Sequence, residues 1–214
     1  MKKIILLCMM IIPVTIFSQS DAKAKALLDE VYKKVSGYEN IFVDFKFVLD
    51  NTAENIHQET RGDVTLEGDK YLFNYLGATK IFDGKKSYTI IPENEEVVIE
   101  SNGTDEEESI TPSKMLTFYK NGYNYKMDIL QNVKGRQIQY VELIPIDTHA
   151  EIKKILLGID IQTKHIYNLI QIGDNKTKTT ITVNSFKTNQ PLSNSLFTFD
   201  EAKYEDEGYY IIRN

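Results

Sequence analysis

Among its 214 residues this chain has one cysteine and no tryptophan. Cys8 lies inside the apolar run at the N-terminus, so the remainder carries no thiol. That excludes disulfides, thiolate nucleophiles and cysteine-ligated metals from it. Histidine is scarce too. His57, His149 and His165 stand apart in polar turns, with no His-x-x-His or similar pairing of the kind a metal site needs. They read as surface residues. No Gly-x-Ser-x-Gly elbow, phosphate loop or dinucleotide fingerprint occurs. Carboxylates are plentiful, which leaves a carboxylate-dependent hydrolase open as a remote alternative. Yet sugar-cleaving sites usually stack substrate on tryptophan, and no carboxylate pair stands out. Basic charge is in deficit as well. A formal net charge of −6 gives no footprint for nucleic acid and no electrostatic pull toward anionic lipid. The reading is of a protein that is not an enzyme and has no cofactor and no metal.

What the chain does have is tyrosine, phenylalanine and branched aliphatic residues in short runs. Hydrophobic residues make up 42% of it, enough to give one domain of this length a core without disulfides. The stretch 61–99 shows the pattern best, with runs cut by Gly, Asp, Asn and Pro, as strands and tight turns require. Val64 and Leu66 alternate with Thr65 and Glu67. Tyr71, Phe73 and Tyr75 share a face, opposite Leu72, Asn74 and Leu76. Asp83-Gly84 suits a two-residue type I′ hairpin turn, in which both central residues have φ > 0.

The N-terminus reads as a signal peptide: Lys2-Lys3, then a mainly apolar run from Ile4 to Phe17, with cleavage at Ser18-Gln19. The run is short for a membrane span. Cleavage leaves 23 basic against 31 acidic residues. Residues 19–214 form one domain on this reading. Ser20 to Tyr38 reads as a helix, capped by Ser20 and stopped by Gly37, with an apolar stripe of Ala24, Leu27, Leu28, Val31 and Val35. Ile41 to Leu49 is a strand with Val43, Phe45 and Phe47 on one face, and Glu59 to Leu66 returns after a polar turn. The acidic segment 101–109 lacks the periodic oxygen spacing of a calcium loop. Thr111-Pro112 opens a second short helix carrying Met115, Leu116, Phe118 and Tyr119. Five more strands run from Tyr123 to Phe186, and Leu196 to Phe199 is a last one. The tail to Asn214 reads as loosely packed. The count is about eleven strands and two helices.

The order and spacing of these segments resemble the LolA family of periplasmic carriers of outer-membrane lipoproteins. The resemblance runs through Gly62-Asp63-Val64-Thr65-Leu66, Leu72-Phe73-Asn74-Tyr75, Phe82-Asp83-Gly84-Lys85-Lys86, Tyr140 to Pro145, Ile155 to Asp160 and Phe197-Thr198-Phe199. It implies an incomplete antiparallel β-barrel covered by a lid of helices, with acyl chains held between. It implies as partners acylated lipoproteins, an inner-membrane lipoprotein-releasing ABC transporter and an outer-membrane acceptor, and it suits a monomer. A related half-barrel that senses lipid or lipoprotein is the alternative. The family's Arg-Pro pair before the Phe-x-Trp/Tyr strand is missing; Lys70 stands nearby.

The expected cavity wall is Val43, Phe45, Phe47, Val64, Leu66, Phe73 and Tyr75, and the expected lid residues are Leu27, Leu28, Val31, Met115, Leu116 and Phe118. The export reading makes a direct prediction. N-terminal sequencing of the exported protein gives a start at or near Gln19; a membrane-bound form that still begins at Met1 contradicts it.

Overall fold

A computed structural model describes residues 16–101, 114–173 and 175–214. Helix α1 (Ile16–Val35) leads into a run of six strands: β1 (Ile41–Asn51), β2 (Ile56–Glu67), β3 (Lys70–Tyr75), β4 (Ala78–Phe82), β5 (Lys86–Ile91) and β6 (Glu96–Ser101). Two 3₁₀ turns, Lys114–Leu116 and Phe118–Lys120, precede β7 (Tyr123–Val133), β8 (Arg136–Pro145), β9 (Ile152–Asp160), β10 (Ile166–Gly173) and β11 (Lys178–Thr188). Helix α2 (Glu201–Asp206) and β12 (Tyr210–Arg213) close the chain.

All twelve strands form one sheet, in the order β12-β6-β5-β4-β3-β2-β1-β11-β10-β9-β8-β7. Every neighbouring pair is antiparallel except β12 with β6, which is parallel. The sheet's two end strands, β12 and β7, do not pair, so it stays open. The inner face carries the main core. There the buried stripe of α1 meets Val141 and Leu143 of β8, Ile155, Leu157 and Ile159 of β9, and Val43, Phe45, Val64 and Leu66 of β1 and β2. The helix packs over the β7 end of the sheet.

The outer face has a smaller core of its own at the opposite end. Ile81, Ile90, Val97 and Ile99 are buried there beneath the C-terminal segment. Phe199 stacks on Tyr88 with ring centroids 4.6 Å apart, and Tyr204 stacks on Phe199 at 5.2 Å. Offset stacking of this kind adds to simple area burial. The tail is therefore a structured strap, not a loose end, and it supplies the twelfth strand. Its aromatic residues are the reason: Phe199, Tyr204 and Tyr209 pack against the outer core, while Tyr210 stays exposed.

Other local expectations also change. Helix α1 begins earlier than Ser20 and ends at Val35. Gly37 is not among the glycines with positive φ, so it does not serve as a left-handed stop. The first hairpin is longer on its return side, because β2 begins at Ile56 and not at Glu59. At Asp83-Gly84 only Gly84 has positive φ, +97°. Asp83 instead accepts hydrogen bonds from the backbone N–H groups of Lys85 (2.7 Å) and Lys86 (2.8 Å), a side-chain turn in place of the type I′ hairpin. Leu196 to Phe199 is not a strand; a turn covers 194–197 and the chain continues to Phe199 without regular structure. The second helix is present only as two 3₁₀ turns; its expected opening at Thr111-Pro112 lies outside the described residues, as do most of the acidic segment and the N-terminal run up to Thr15. No helix among the described residues is long and apolar enough to cross a membrane.

Candidate functional site: an apolar cavity on the inner face

The centre of the inner face is not filled. A cavity of about 200 Å³ lies over β3, β2, β1, β11 and β10. The seven side chains expected on the wall, Val43, Phe45, Phe47, Val64, Leu66, Phe73 and Tyr75, all line it. They do so because β1, β2 and β3 pair in register and alternate regularly. Val43 stands opposite Val64 and Val64 opposite Phe73; Phe45 stands opposite Gly62 and Gly62 opposite Tyr75. A period of two then puts every member on one face.

The far wall was missed. It consists of Ile166 and Leu169 on β10 and Ile181, Val183 and Phe186 on β11. In each strand two lining residues are three apart, which regular alternation forbids. A bulge resolves this in both cases. The β1–β11 register shifts between Asp44 and Phe45, leaving Asn184 as the extra residue, and the β10–β9 register shifts between Ile166 and Asn168, leaving Tyr167 extra. An added residue reverses the phase of the strand beyond it.

Of the six expected lid residues, Met115 and Leu116 line the cavity from the first 3₁₀ turn. Leu27, Leu28 and Val31 do not; they are buried in the core. Phe118 turns its ring onto Tyr119 and Tyr123. The second turn is pinned from both sides. Tyr125 donates a hydrogen bond to the carbonyl of Tyr119 (2.8 Å), and the Lys120 ammonium sits 3.5 Å from the Tyr32 ring centroid on α1. Tyr119 is 1% exposed, and burial raises its pKa well above the ordinary phenol value.

Four aromatic rings pave one side of the cavity. Phe45 stacks on Phe73 (6.2 Å, 13°), Phe73 on Tyr75 (5.8 Å, 23°), and Phe47 meets Tyr75 edge-on (5.7 Å, 66°). Gly62 makes the space for them. A Cβ there would lie 2.6 Å from Phe45 Cζ, 2.7 Å from the Asn74 carbonyl oxygen and 3.1 Å from Tyr75 Cδ2. The tripeptide Arg61-Gly62-Asp63 thus has a packing role at its centre. Among all the lining side chains the Tyr75 hydroxyl is the one N–H or O–H group, and burial raises its pKa. The outer face of the same strands carries polar pairs. Asn184 donates to Asp44 (2.8 Å), Asn74 to Asp63 (2.9 Å) and Thr79 to Asn74 (2.8 Å).

His165 departs from the surface reading. Its ring stacks on Phe186 at 4.1 Å, and Nε2 lies 2.8 Å from the Tyr38 hydroxyl. Burial lowers its pKa, and the Lys34 charge adds to the effect, so the neutral imidazole is the favoured form at this corner of the cavity. His57 does lie at the surface, paired with Asp50 at 2.6 Å. Among the described residues no group of three or more His, Cys, Asp or Glu is placed to hold a metal ion.

An open, mostly antiparallel sheet with one long helix and an apolar cavity on its inner face is an incomplete barrel. The model of the family described as outer membrane lipoprotein carrier protein LolA matches residues 39–200, and the chain belongs to that family. Solved structures share the fold. An uncharacterized conserved protein from Thermus thermophilus superposes with a TM-score of 0.56 at 10% identity, covering 90% of this chain and 99% of that one. The Mycobacterium tuberculosis lipoprotein LppX superposes at 0.51 with 14% identity, covering 81% and 99%. No curated protein matches the sequence.

Gly62 offers a test of this geometry. Its φ is not positive, so alanine there meets only steric cost. Replacing a strand glycine by alanine otherwise tends to stabilise. Here the Asn74 carbonyl is main chain and cannot step aside. Gly62→Ala is expected to lose about 1–3 kcal/mol in urea unfolding. Unchanged or increased stability contradicts the seating of the rings.

Proposed function

We propose that this protein is a periplasmic carrier that holds the acyl chains of lipoproteins in its inner-face cavity and moves them from the inner to the outer membrane. The observation that supports this is the chemistry of the cavity wall. It is built from aliphatic and aromatic side chains, with a single hydroxyl and no charge. Such a wall has nothing with which to orient or activate a reacting group. It favours hydrocarbon by roughly 0.8 kcal/mol for each methylene taken out of water.

Holding of this kind has a consequence for unloading. A chain bound by burial alone leaves only when a competing apolar site is offered or the wall is opened. The sequence has no phosphate loop to power either step. Loading therefore draws on a lipoprotein-releasing ABC transporter at the inner membrane, and unloading on an outer-membrane acceptor. Membership of the carrier family supports this assignment, and the absence of a thiol outside the N-terminal run suits an exported protein that needs no oxidative folding.

A charge placed in the wall separates binding from folding. Val183 is a half-buried wall residue on β11. Val183→Asp is expected to keep a cooperative thermal transition, because the cavity side can hydrate, and to bind a triacylated lipopeptide at least tenfold more weakly, because an unpaired carboxylate opposes the acyl chain. Lipopeptide titration and thermal melting on the same samples check it. A wild-type protein that does not bind the lipopeptide, or a folded variant that binds it normally, contradicts the carrier reading.

A further inference from the structure

We propose that the cavity seats one acyl chain at a time, and only about the terminal eight carbons of it, so that its ligand class is the single hydrocarbon tail. This rests on the carrier reading and specifies what enters the site.

Volume carries the first part of the argument. An engineered apolar cavity of about 150 Å³ takes up one benzene, a six-carbon ligand. The present cavity, about 200 Å³, is on that scale suited to roughly eight carbons. Two or three tails side by side need several times that space.

The shape of the wall carries the second part. The cavity cannot swell sideways, because its floor is five hydrogen-bonded strands in fixed register. It cannot deepen either. Phe73 is stacked between Phe45 and Tyr75, and those two rings already rest on Gly62, where the main chain leaves no further room. At the other side Phe186 is backed by His165, itself held by Tyr38. Met115 and Leu116 are the wall residues that do not belong to the sheet.

The chemistry of the wall carries the third. With the Tyr75 hydroxyl as its one O–H or N–H group, the cavity offers too few partners for an ester or a head group, and a buried polar group without partners costs more than the burial of a methylene returns. The methyl end therefore enters first, and the linkage stays outside. A lipoprotein with several chains is held by one of them, the others remaining at the mouth.

The purified protein can be titrated with alkylphosphocholines carrying tails of six to sixteen carbons, below their micelle concentrations, by displacement of a fluorescent fatty acid. Affinity is expected to rise about fourfold per methylene up to about eight carbons and then to level off. Octylphosphocholine and dioctanoylphosphatidylcholine are expected to bind within about threefold of each other. A rise that continues through sixteen carbons, or a second chain that tightens binding more than tenfold, overturns the single-tail inference while leaving the carrier reading intact. Failure of every amphiphile, the triacylated lipopeptide included, overturns both.

Discussion

Among the described residues the sheet presents more apolar inner surface than the helices cover, and the rest of the structure follows from that mismatch. Helix α1 brings one stripe, Ala24, Leu27, Leu28, Val31 and Val35, and it lies over the β7 end. There it seals Val141, Leu143, Ile155 and Leu157 completely. The next five strands inward carry equally apolar side chains, with no second long helix among the described residues to meet them. In an ordinary domain such a face would collapse onto a partner layer, since exposed apolar area is costly and protein interiors are close-packed. Here two short turns reach over part of it, and the remainder is a cavity.

The two ends of the sheet solve the same problem differently. At the β12 end the inner face turns polar, with Lys80 paired to Glu100 (3.5 Å) and Ser87 bonded to the same carboxylate (3.0 Å). Ile81, Ile90, Val97 and Ile99 of β4, β5 and β6 point instead to the outer face, where the C-terminal strap buries them, while Phe82 stays on the inner face against Tyr71. The middle strands carry the cavity wall within and, without, a face on which Asp44, Asp63 and Asn74 are hydrogen-bonded beside Phe42 and Leu72. A one-residue slip would exchange these faces, so the register of β1 to β3 is strongly specified.

That fixed register explains what could be read from sequence. Val43, Phe45, Phe47, Val64, Leu66, Phe73 and Tyr75 follow regular alternation, and alternation is visible in a sequence. Phe186 and Ile166 were not legible, because Asn184 and Tyr167 shift the phase and nothing in a single sequence marks a bulge at an asparagine or a tyrosine. Gly62 was legible as a strand residue but not as the clearance beneath two rings, which only cross-strand pairing defines. The tail was misread because its tyrosines alternate with acids and a glycine; the stack it joins, Tyr204 on Phe199 and Phe199 on Tyr88, depends on a strand more than a hundred residues away. His165 was misread for the same reason: Tyr38 and Phe186, which enclose it, come from distant segments. Turn chemistry at Asp83 shows a local version of the problem, where a carboxylate accepting two N–H groups replaced the expected pair of positive φ angles.

The central claim is that the space among Phe45, Leu66 and Val183 is an open, dry, apolar cavity in the folded protein. Apolar cavities of this size take up xenon and stay free of water, whereas polar ones hold ordered water. Crystals of the ligand-free protein pressurised with xenon test it most directly. The account predicts strong xenon density bounded by those three side chains, without ordered water in its place. Side chains collapsed into the space, or a network of waters filling it, would contradict the account.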